Sequence, residues 1–233
     1  MARAAGVPCT VVAFETAPAS KIDRMRALGA RLILAPYDVA WAALAARTYP
    51  GVEGAFVHPF DDHNFIVGNA TLGLEILEDV PDATAVILPV GGGGLIAGVG
   101  AAIKVLRHDI AVWSAEPETA APAARSFALG SPQVFSEWQA SFIDGAGGKS
   151  LFPTMCERTR RVVDGNVVVT LEQTRRAMLL MAEKSRIIAE GAGALALAAA
   201  LTGRAGQGPV VAVVSGGNID LGTFCDLLQL GSL

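Results

Sequence analysis

Several residue types and patterns that define protein classes are scarce or absent in this sequence. Cysteine occurs only at Cys9, Cys156 and Cys225, too few and too widely spaced for a disulfide framework or a zinc site. There is no basic run and no interleaving of aromatic with basic residues, so nucleic acid is not expected as a partner. No apolar run approaches the roughly 20 residues of a membrane span, and no secretion-signal pattern stands at the first residues. These absences favour a cytoplasmic protein with no membrane partner.

Hydrophobic residues are abundant, by contrast, at 52% of the 233 residues, which permits a buried core. Short β-rich runs alternate with helical patterns along most of the chain. The run 85–90 is continuously apolar, which indicates a strand that is buried on both faces, and 111–115 and 210–214 are predicted as further buried strands. The alternation predicts an α/β fold built on a parallel, doubly wound sheet.

The remaining elements are predicted from shorter signals. The other strands are expected at 10–14, 31–34, 55–58 and 167–170. The helices are expected at 20–28, 38–48, 65–77, 95–106, 171–184, 191–202 and 221–230. Ser20 is the expected cap of the first helix, and residues 120–153 are expected to be irregular because they are rich in small residues.

Four consecutive glycines, at 91–94, lie between the predicted strand 85–90 and the helix 95–106. Without side chains, their backbone N–H groups can close on an anion, and the helix N-terminus adds partial positive charge. One or two glycines would be enough for a tight turn. The run of four therefore predicts a phosphate site.

The same loop leaves a second ligand open. Gly92, Gly94 and Ala97 satisfy the dinucleotide-binding spacing G-x-G-x-x-G/A. Glu116 follows Gly92 by 24 residues, close to where an acid that binds a ribose is expected. A nicotinamide-dependent dehydrogenase is therefore an alternative function.

A second loop favours a different cofactor. The predicted strand 210–214 runs into Ser215, Gly216 and Gly217. The Ser215 hydroxyl can donate to a neutral ring nitrogen, and the two glycines leave room for a flat ring. The segment 145–150 ends in Gly-Lys-Ser, but Ile143 stands where a nucleotide P-loop requires glycine, so that alternative is rejected.

Six short segments, in this order, resemble the fold-type II pyridoxal-phosphate enzymes, a family that includes the serine and threonine dehydratases and serine racemase. They are PFDD at 59–62, GNATLGLEI at 68–76, GGGGLIAG at 91–98, AEPE at 115–118, IAEGAGA at 188–194 and SGGNID at 215–220. A seventh, DGAGGKS at 144–150, is most similar to the branch that acts on threonine- or phenylserine-type amino acids. The resemblance implies a tryptophan-synthase-β-like fold, with a smaller lobe at 1–67 and a larger cofactor-binding lobe at 68–233.

The resemblance also implies a cofactor, pyridoxal 5′-phosphate, and a set of residues around it. The glycine loop would bind the phosphate, the second loop the pyridine nitrogen, and one further glycine would lie close to the substrate. The cofactor-binding residues expected in this way are Gly91, Gly92, Gly93, Gly94, Leu95, Glu190, Ser215 and Gly216, and the glycine near the substrate is Gly145. The implied reaction is β-elimination of threonine, serine or phenylserine to a 2-oxo acid and ammonia, carried out by a homodimer.

The sequence departs from the family at the catalytic lysine. Neither the Ser-x-Lys context of the Schiff-base lysine nor the Ser-x-Gly-Asn-His segment after it occurs here. The first residues resemble a part of the family pattern downstream of both, so the chain is expected to be N-terminally incomplete and to have little or no activity alone. Of Lys21, Lys104, Lys149 and Lys184, only Lys149 falls in a segment expected near the site. A non-catalytic remnant that keeps the phosphate site is therefore a third hypothesis.

No metal is predicted. In metal-dependent members, an acid like Glu116 is joined by a second acid six residues further on, and here that position is Pro122. The three histidines, His58, His63 and His108, have no metal-like spacing.

Overall fold

The computed structural model describes residues 1–229. The chain divides into two compact units, Met1–His58 and Pro59–Leu233. The division lies nine residues before the lobe boundary that the resemblance implies at 67/68. That lobe boundary stays a prediction.

The first unit contains a small parallel sheet and three helices. Its elements are α1 (Ala2–Ala5), β1 (Thr10–Phe14), α2 (Ala19–Ala27), β2 (Arg31–Ala35) and α3 (Tyr37–Ala46). The two strands pair in register from Thr10 opposite Arg31 to Phe14 opposite Ala35. The Phe14 ring stacks on Tyr37 at 5.1 Å between centroids, which ties β1 to α3.

Two predictions for the first unit are wrong. Residues 55–58 form no strand among the described residues, because no neighbouring backbone pairs with them and a strand depends on that ladder of hydrogen bonds. Ser20 is not the cap of α2, which begins at Ala19 after Pro18 and has no side-chain cap. The fixed φ of proline suits the residue at the start of a helix, so Pro18 was the stronger signal.

The second unit is built on a four-stranded sheet whose described strands all run parallel, in the order β5-β4-β3-β6. The helices that lead into and alternate with these strands cover both faces. The elements are α4 (His63–Asp79), β3 (Ala85–Pro89), α5 (Gly94–Leu106), β4 (Ala111–Pro117), α6 (Pro122–Leu129), α7 (Pro153–Arg160), β5 (Gly165–Val169), α8 (Leu171–Leu180), α9 (Gly191–Ala200), β6 (Val210–Ala212) and α10 (Leu221–Gln229). The predicted parallel, doubly wound sheet is confirmed. The prediction of a buried strand at 210–214 is wrong, because β6 ends at Ala212 and, with only β3 beside it among the described strands, is half-buried.

The central strand β3 shows why its sequence is apolar throughout. Val86 and Leu88 pack into one core cluster with α4 and α5, whereas Ala85 and Ile87 pack into a second cluster with α8 and α9. Successive side chains of a strand point to opposite faces, and both faces here are covered. Every residue of β3 is therefore buried.

Helices α4 and α5 pack closely because glycine lies between them. A Cβ on Gly98 would lie 2.3 Å from the carbonyl oxygen of Ile66, and one on Gly73 would lie 2.9 Å from that of Val99. Neither position has room for a side chain. This packing fixes α5, and with it the loop at its N-terminus.

The helices of the structure depart from the predicted ones at α6, α7 and the end of α8. Helix α6 lies in the stretch predicted to be irregular, and α7 was not predicted; each has proline in its first turn, which favours a helix start. Helix α8 continues into a π-helical turn, Met181–Ser185, which ends at Arg186 in the left-handed conformation. The last predicted residue of α10, Leu230, lies outside the described residues.

Across residues 1–229, every helix falls short of the length and apolar character that crossing a membrane requires.

Candidate functional site

The candidate site lies at the carboxyl edge of the second sheet. Strands β3 and β6 are parallel neighbours, with Ala85 opposite Val210 and Ile87 opposite Ala212. Their following loops, at 90–93 and 213–220, therefore emerge at the same edge. Ligands of open parallel sheets bind at this edge.

The loop after β3 presents a run of backbone donors. Gly93 has a φ of 88°, a conformation that favours glycine, and α5 begins at the next residue. Within residues 1–229, six consecutive N–H groups donate to no protein acceptor. They belong to Gly91, Gly92, Gly93, Gly94, Leu95 and Ile96. Because unpaired N–H groups in partly buried surroundings are unfavourable, the loop fits a ligand with several acceptor oxygens, and a phosphate is such a ligand.

The surroundings of this loop exclude side chains. A Cβ on Gly91 would lie 3.1 Å from the carbonyl oxygen of Gly145, and one on Gly92 would lie 2.2 Å from the ring of Phe60. On Gly93 it would lie 3.0 Å from the methyl carbon of Thr159. Close packing thus leaves no room for a Cβ at Gly92 and little at Gly91 and Gly93, so the glycine run has a structural cause as well as the predicted chemical one.

The loop after β6 meets the N-terminus of α9. The Glu190 N–H donates to the carbonyl oxygen of Gly216 at 3.1 Å. The Oε1 atom of Glu190 lies 2.6 Å from where a Cβ on Gly216 would be and 3.3 Å from where one on Gly145 would be. The structure thus brings together four of the predicted positions, Gly91, Gly145, Glu190 and Gly216. Ser215, the residue before Gly216, is exposed.

The segment around Gly145 is attached to the end of β3. Gly147 donates its N–H to the carbonyl oxygen of Val90 at 3.0 Å and accepts from the indole N–H of Trp138 at 3.3 Å. The Lys149 ammonium lies 5.0 Å from the centre of the Trp138 ring, a cation–π contact. Lys104 donates to the Ile110 carbonyl oxygen and forms an ion pair at 2.5 Å with Asp164, the residue before β5. These contacts make Lys104 a structural residue.

Glu116 has a different role from either of those considered for it. It is 1% exposed, and its two oxygens accept from the N–H groups of Ala123 and Ala124 at 2.8 and 2.7 Å. The carboxylate therefore caps α6, and no oxygen is directed to a ribose. Burial raises its pKa to about 7, against the two backbone hydrogen bonds that lower it. The dinucleotide alternative consequently lacks the acid on which it depended.

Sequence reasoning assigned no role to the individual residues of the turn 59–62. Asp61 is buried and accepts from Thr154 Oγ1 at 2.9 Å and from Arg158 Nη1 at 2.5 Å, both on α7. Asp62 accepts from the Phe65 N–H at 3.1 Å and so caps α4. An aspartate before a helix start indicates a cap, but no local signal identifies the partner of Asp61.

A profile of the family described as pyridoxal-phosphate dependent enzymes matches residues 1–216. The chain belongs to this family. Among curated members, the L-threonine ammonia-lyase of Thermotoga maritima is 38% identical over 229 residues, which are 97% of this chain and 57% of that protein. The catabolic L-threonine dehydratase of Staphylococcus aureus is 34% identical over 236 residues, which are 99% of this chain and 68% of that protein.

Solved structures of the pyridoxal-phosphate family agree with the fold. Maize serine racemase superposes with a TM-score of 0.83 at 29% identity, covering 98% of this chain and 71% of that one. The fold-type II architecture expected from the resemblance is confirmed. The chain spans a little under three fifths of the length of the Thermotoga relative, so what the whole of that enzyme does is not carried over directly.

Proposed function

We propose that this chain carries the phosphate- and ring-binding half of a pyridoxal-phosphate site for β-elimination. The substrate would be a hydroxy amino acid such as threonine, serine or phenylserine, converted to a 2-oxo acid and ammonia. The observation that carries the proposal is the run of six N–H donors at the carboxyl edge of the sheet that have no acceptor in the part of the protein that the structure describes. The names of the relatives, which are threonine ammonia-lyases and dehydratases, support the reaction class.

The proposed contacts with the phosphate and the ring of the cofactor all come from residues of the second unit. The N–H groups of the glycine loop and Leu95 would hold the phosphate. The exposed Ser215 hydroxyl would donate to the pyridine nitrogen, and Gly216 would leave room beside it. Glu190, whose carboxylate lies between the glycine positions 145 and 216, would line the space next to the ring.

The cofactor, when bound, draws electron density from the substrate's α-carbon and makes the α-proton acidic. A hydroxyl donor at the ring nitrogen moderates this effect, because it does not protonate the nitrogen as an acid would. Ser215 would thereby favour prompt loss of the β-hydroxyl group. The N–H groups of the glycine loop would hold the phosphate end of the cofactor and so fix the orientation of the ring.

Removal of the α-proton requires a base, and the chain offers no lysine in the family's context. Lys104 is engaged with Asp164, and Lys149 with Trp138. We therefore expect this chain on its own to bind the cofactor without covalent attachment and without turnover. The proposal also includes two finer expectations from the resemblance, a cytoplasmic location and a homodimer.

Trapping the cofactor tests this proposal. The protein is mixed with pyridoxal 5′-phosphate, reduced with borohydride, digested and examined by mass spectrometry. In parallel, ammonia release from threonine and phenylserine is measured, and binding of pyridoxal 5′-phosphate is compared with binding of pyridoxal. We expect no specific lysine label and no ammonia release, together with phosphate-dependent binding. A single label on Lys149 with ammonia release would contradict the expected inactivity. Binding that does not depend on the phosphate would contradict the cofactor assignment.

A further inference from the structure

We propose that Phe60 is a positioning residue for the glycine loop and that Asp61 holds it in place. The residues were not assigned any function by the sequence. The inference rests on the proposed function, because it concerns the affinity of that loop for a phosphate ester.

Phe60 packs on the loop with both its ring and its backbone. A Cβ on Gly92 would lie 2.2 Å from two ring carbons of Phe60, and one on Gly94 would lie 2.9 Å from the Phe60 carbonyl oxygen. The contact thus spans the middle of the loop and the first residue of α5. Phe60 forms one wall against which this part of the loop rests.

The turn that carries Phe60 is fixed at two points. The Asp61 carboxylate is bound by Thr154 and Arg158, which lie four residues apart and so on one face of α7. Asp62 is bound to the first turn of α4. Asp61 is only 7% exposed, so its carboxylate is largely removed from water and is held by partners within the protein.

Helix α7 also contacts the loop directly. The Thr159 methyl carbon lies 3.0 Å from the position of a Cβ on Gly93. One helix therefore supports two successive glycines, Gly93 directly and Gly92 through the Asp61-bound turn.

This support bears on affinity because glycine has more conformational freedom to lose than any other residue. Six N–H groups can converge on a phosphate only if the loop adopts one conformation, and the cost of ordering it is subtracted from the binding free energy. A loop that is already held pays less of that cost on binding. Removal of the Phe60 ring should therefore weaken the binding of a phosphate ester more than the binding of the same ring without its phosphate.

The test compares two phenylalanines that pack on each other. The centres of the Phe60 and Phe152 rings lie 5.4 Å apart, and both side chains are partly buried, but it is the Phe60 ring that packs against Gly92 of the loop. The probe is pyridoxine 5′-phosphate, which has no aldehyde and cannot label lysines, with pyridoxine as the control ligand. Calorimetry gives the Kd of each ligand, and urea unfolding gives the stability of each variant.

We expect Phe60→Ala to raise the Kd for pyridoxine 5′-phosphate about tenfold, which corresponds to about 1.4 kcal/mol, with little effect on pyridoxine. Phe152→Ala should lose comparable stability and change that Kd by less than about threefold. Asp61→Asn, which keeps a bond to Thr154 but loses the pair with Arg158, should lie between the two. This variant also serves if Phe60→Ala does not fold.

Three results would overturn the inference. Equal effects of Phe60→Ala and Phe152→Ala would mean that Phe60 is only a packing residue. Unchanged affinity for pyridoxine 5′-phosphate in both Phe60→Ala and Asp61→Asn would mean that the loop needs no support. Tighter binding by Phe60→Ala would mean that the Phe60 ring occupies the place of the ligand. If the unmodified chain binds pyridoxine and its phosphate equally, the proposed function itself fails, and that outcome is visible before any variant is made.

Discussion

Glu116 should make the stability of this protein depend on pH, and the effect can be isolated by one substitution. Burial raises the pKa of this carboxyl from its ordinary value of 4.5 to about 7. Below about pH 4.5 the group is protonated in both the folded and the unfolded chain. Between 4.5 and 7 the unfolded chain ionises first, so the free energy of unfolding falls as the pH rises, and above 7 this contribution is constant.

The size of the effect follows from the two pKa values. At about 1.36 kcal/mol for each pKa unit, the interval from 4.5 to 7 corresponds to a loss of about 3 kcal/mol of stability. Because Glu116 is almost completely buried, little of this is screened by solvent. Glu116→Gln removes the ionisation, and the amide oxygen can still accept one hydrogen bond from the first turn of α6.

Glu118 provides the matched control. It also accepts a backbone N–H at a helix start, from Leu171 of α8 at 2.9 Å, but it is exposed. Urea unfolding followed by circular dichroism would be measured from about pH 4.5 to pH 8. We expect the pH-dependent loss to disappear in Glu116→Gln and to persist in Glu118→Gln. Parallel pH profiles for Glu116→Gln and the unmodified protein would refute this explanation.

The remaining predictions use glycines and one helix cap. Gly98→Ala should destabilise the protein by about 2–3 kcal/mol because a Cβ would lie 2.3 Å from a backbone oxygen of α4, whereas Gly68→Ala, in open space, should stabilise it by about 0.5–1 kcal/mol; equal urea midpoints would contradict this. Gly193→Ala places a Cβ 2.2 Å from the carbonyl oxygen of Gly216, in the loop after β6, and should weaken pyridoxine 5′-phosphate binding measured by calorimetry. Gly222→Ala, with open space around it, should leave that binding unchanged. Thr170→Ala removes the capping box of α8 and should cost about 1 kcal/mol in urea unfolding; an unchanged midpoint would exclude the cap as a source of stability.

The sheet, the two loops and the family could be predicted from the amino-acid sequence alone. A strand that is covered on both faces is expected to be largely apolar, so 85–90 could be recognised without knowing its neighbours. The expectation holds less well for the other two strands, because β4 buries Ser114 and Glu116 and β6 is only half-buried. Four glycines between such a strand and a helix have few structural explanations. Parallel strands then bring the loops that follow them to one edge, which is why Gly91 and Gly216 lie in one region.

Contacts between side chains and distant parts of the chain could be assigned only from the folded structure. Asp61 is bound by residues 93 and 97 positions away, and Glu116 by the start of a helix that the sequence did not predict. Residues 55–58 have a strand-like composition but no paired neighbour. In each case the deciding interaction joins segments that are far apart in sequence, so no local pattern records it, and its energy exists only once the chain has folded.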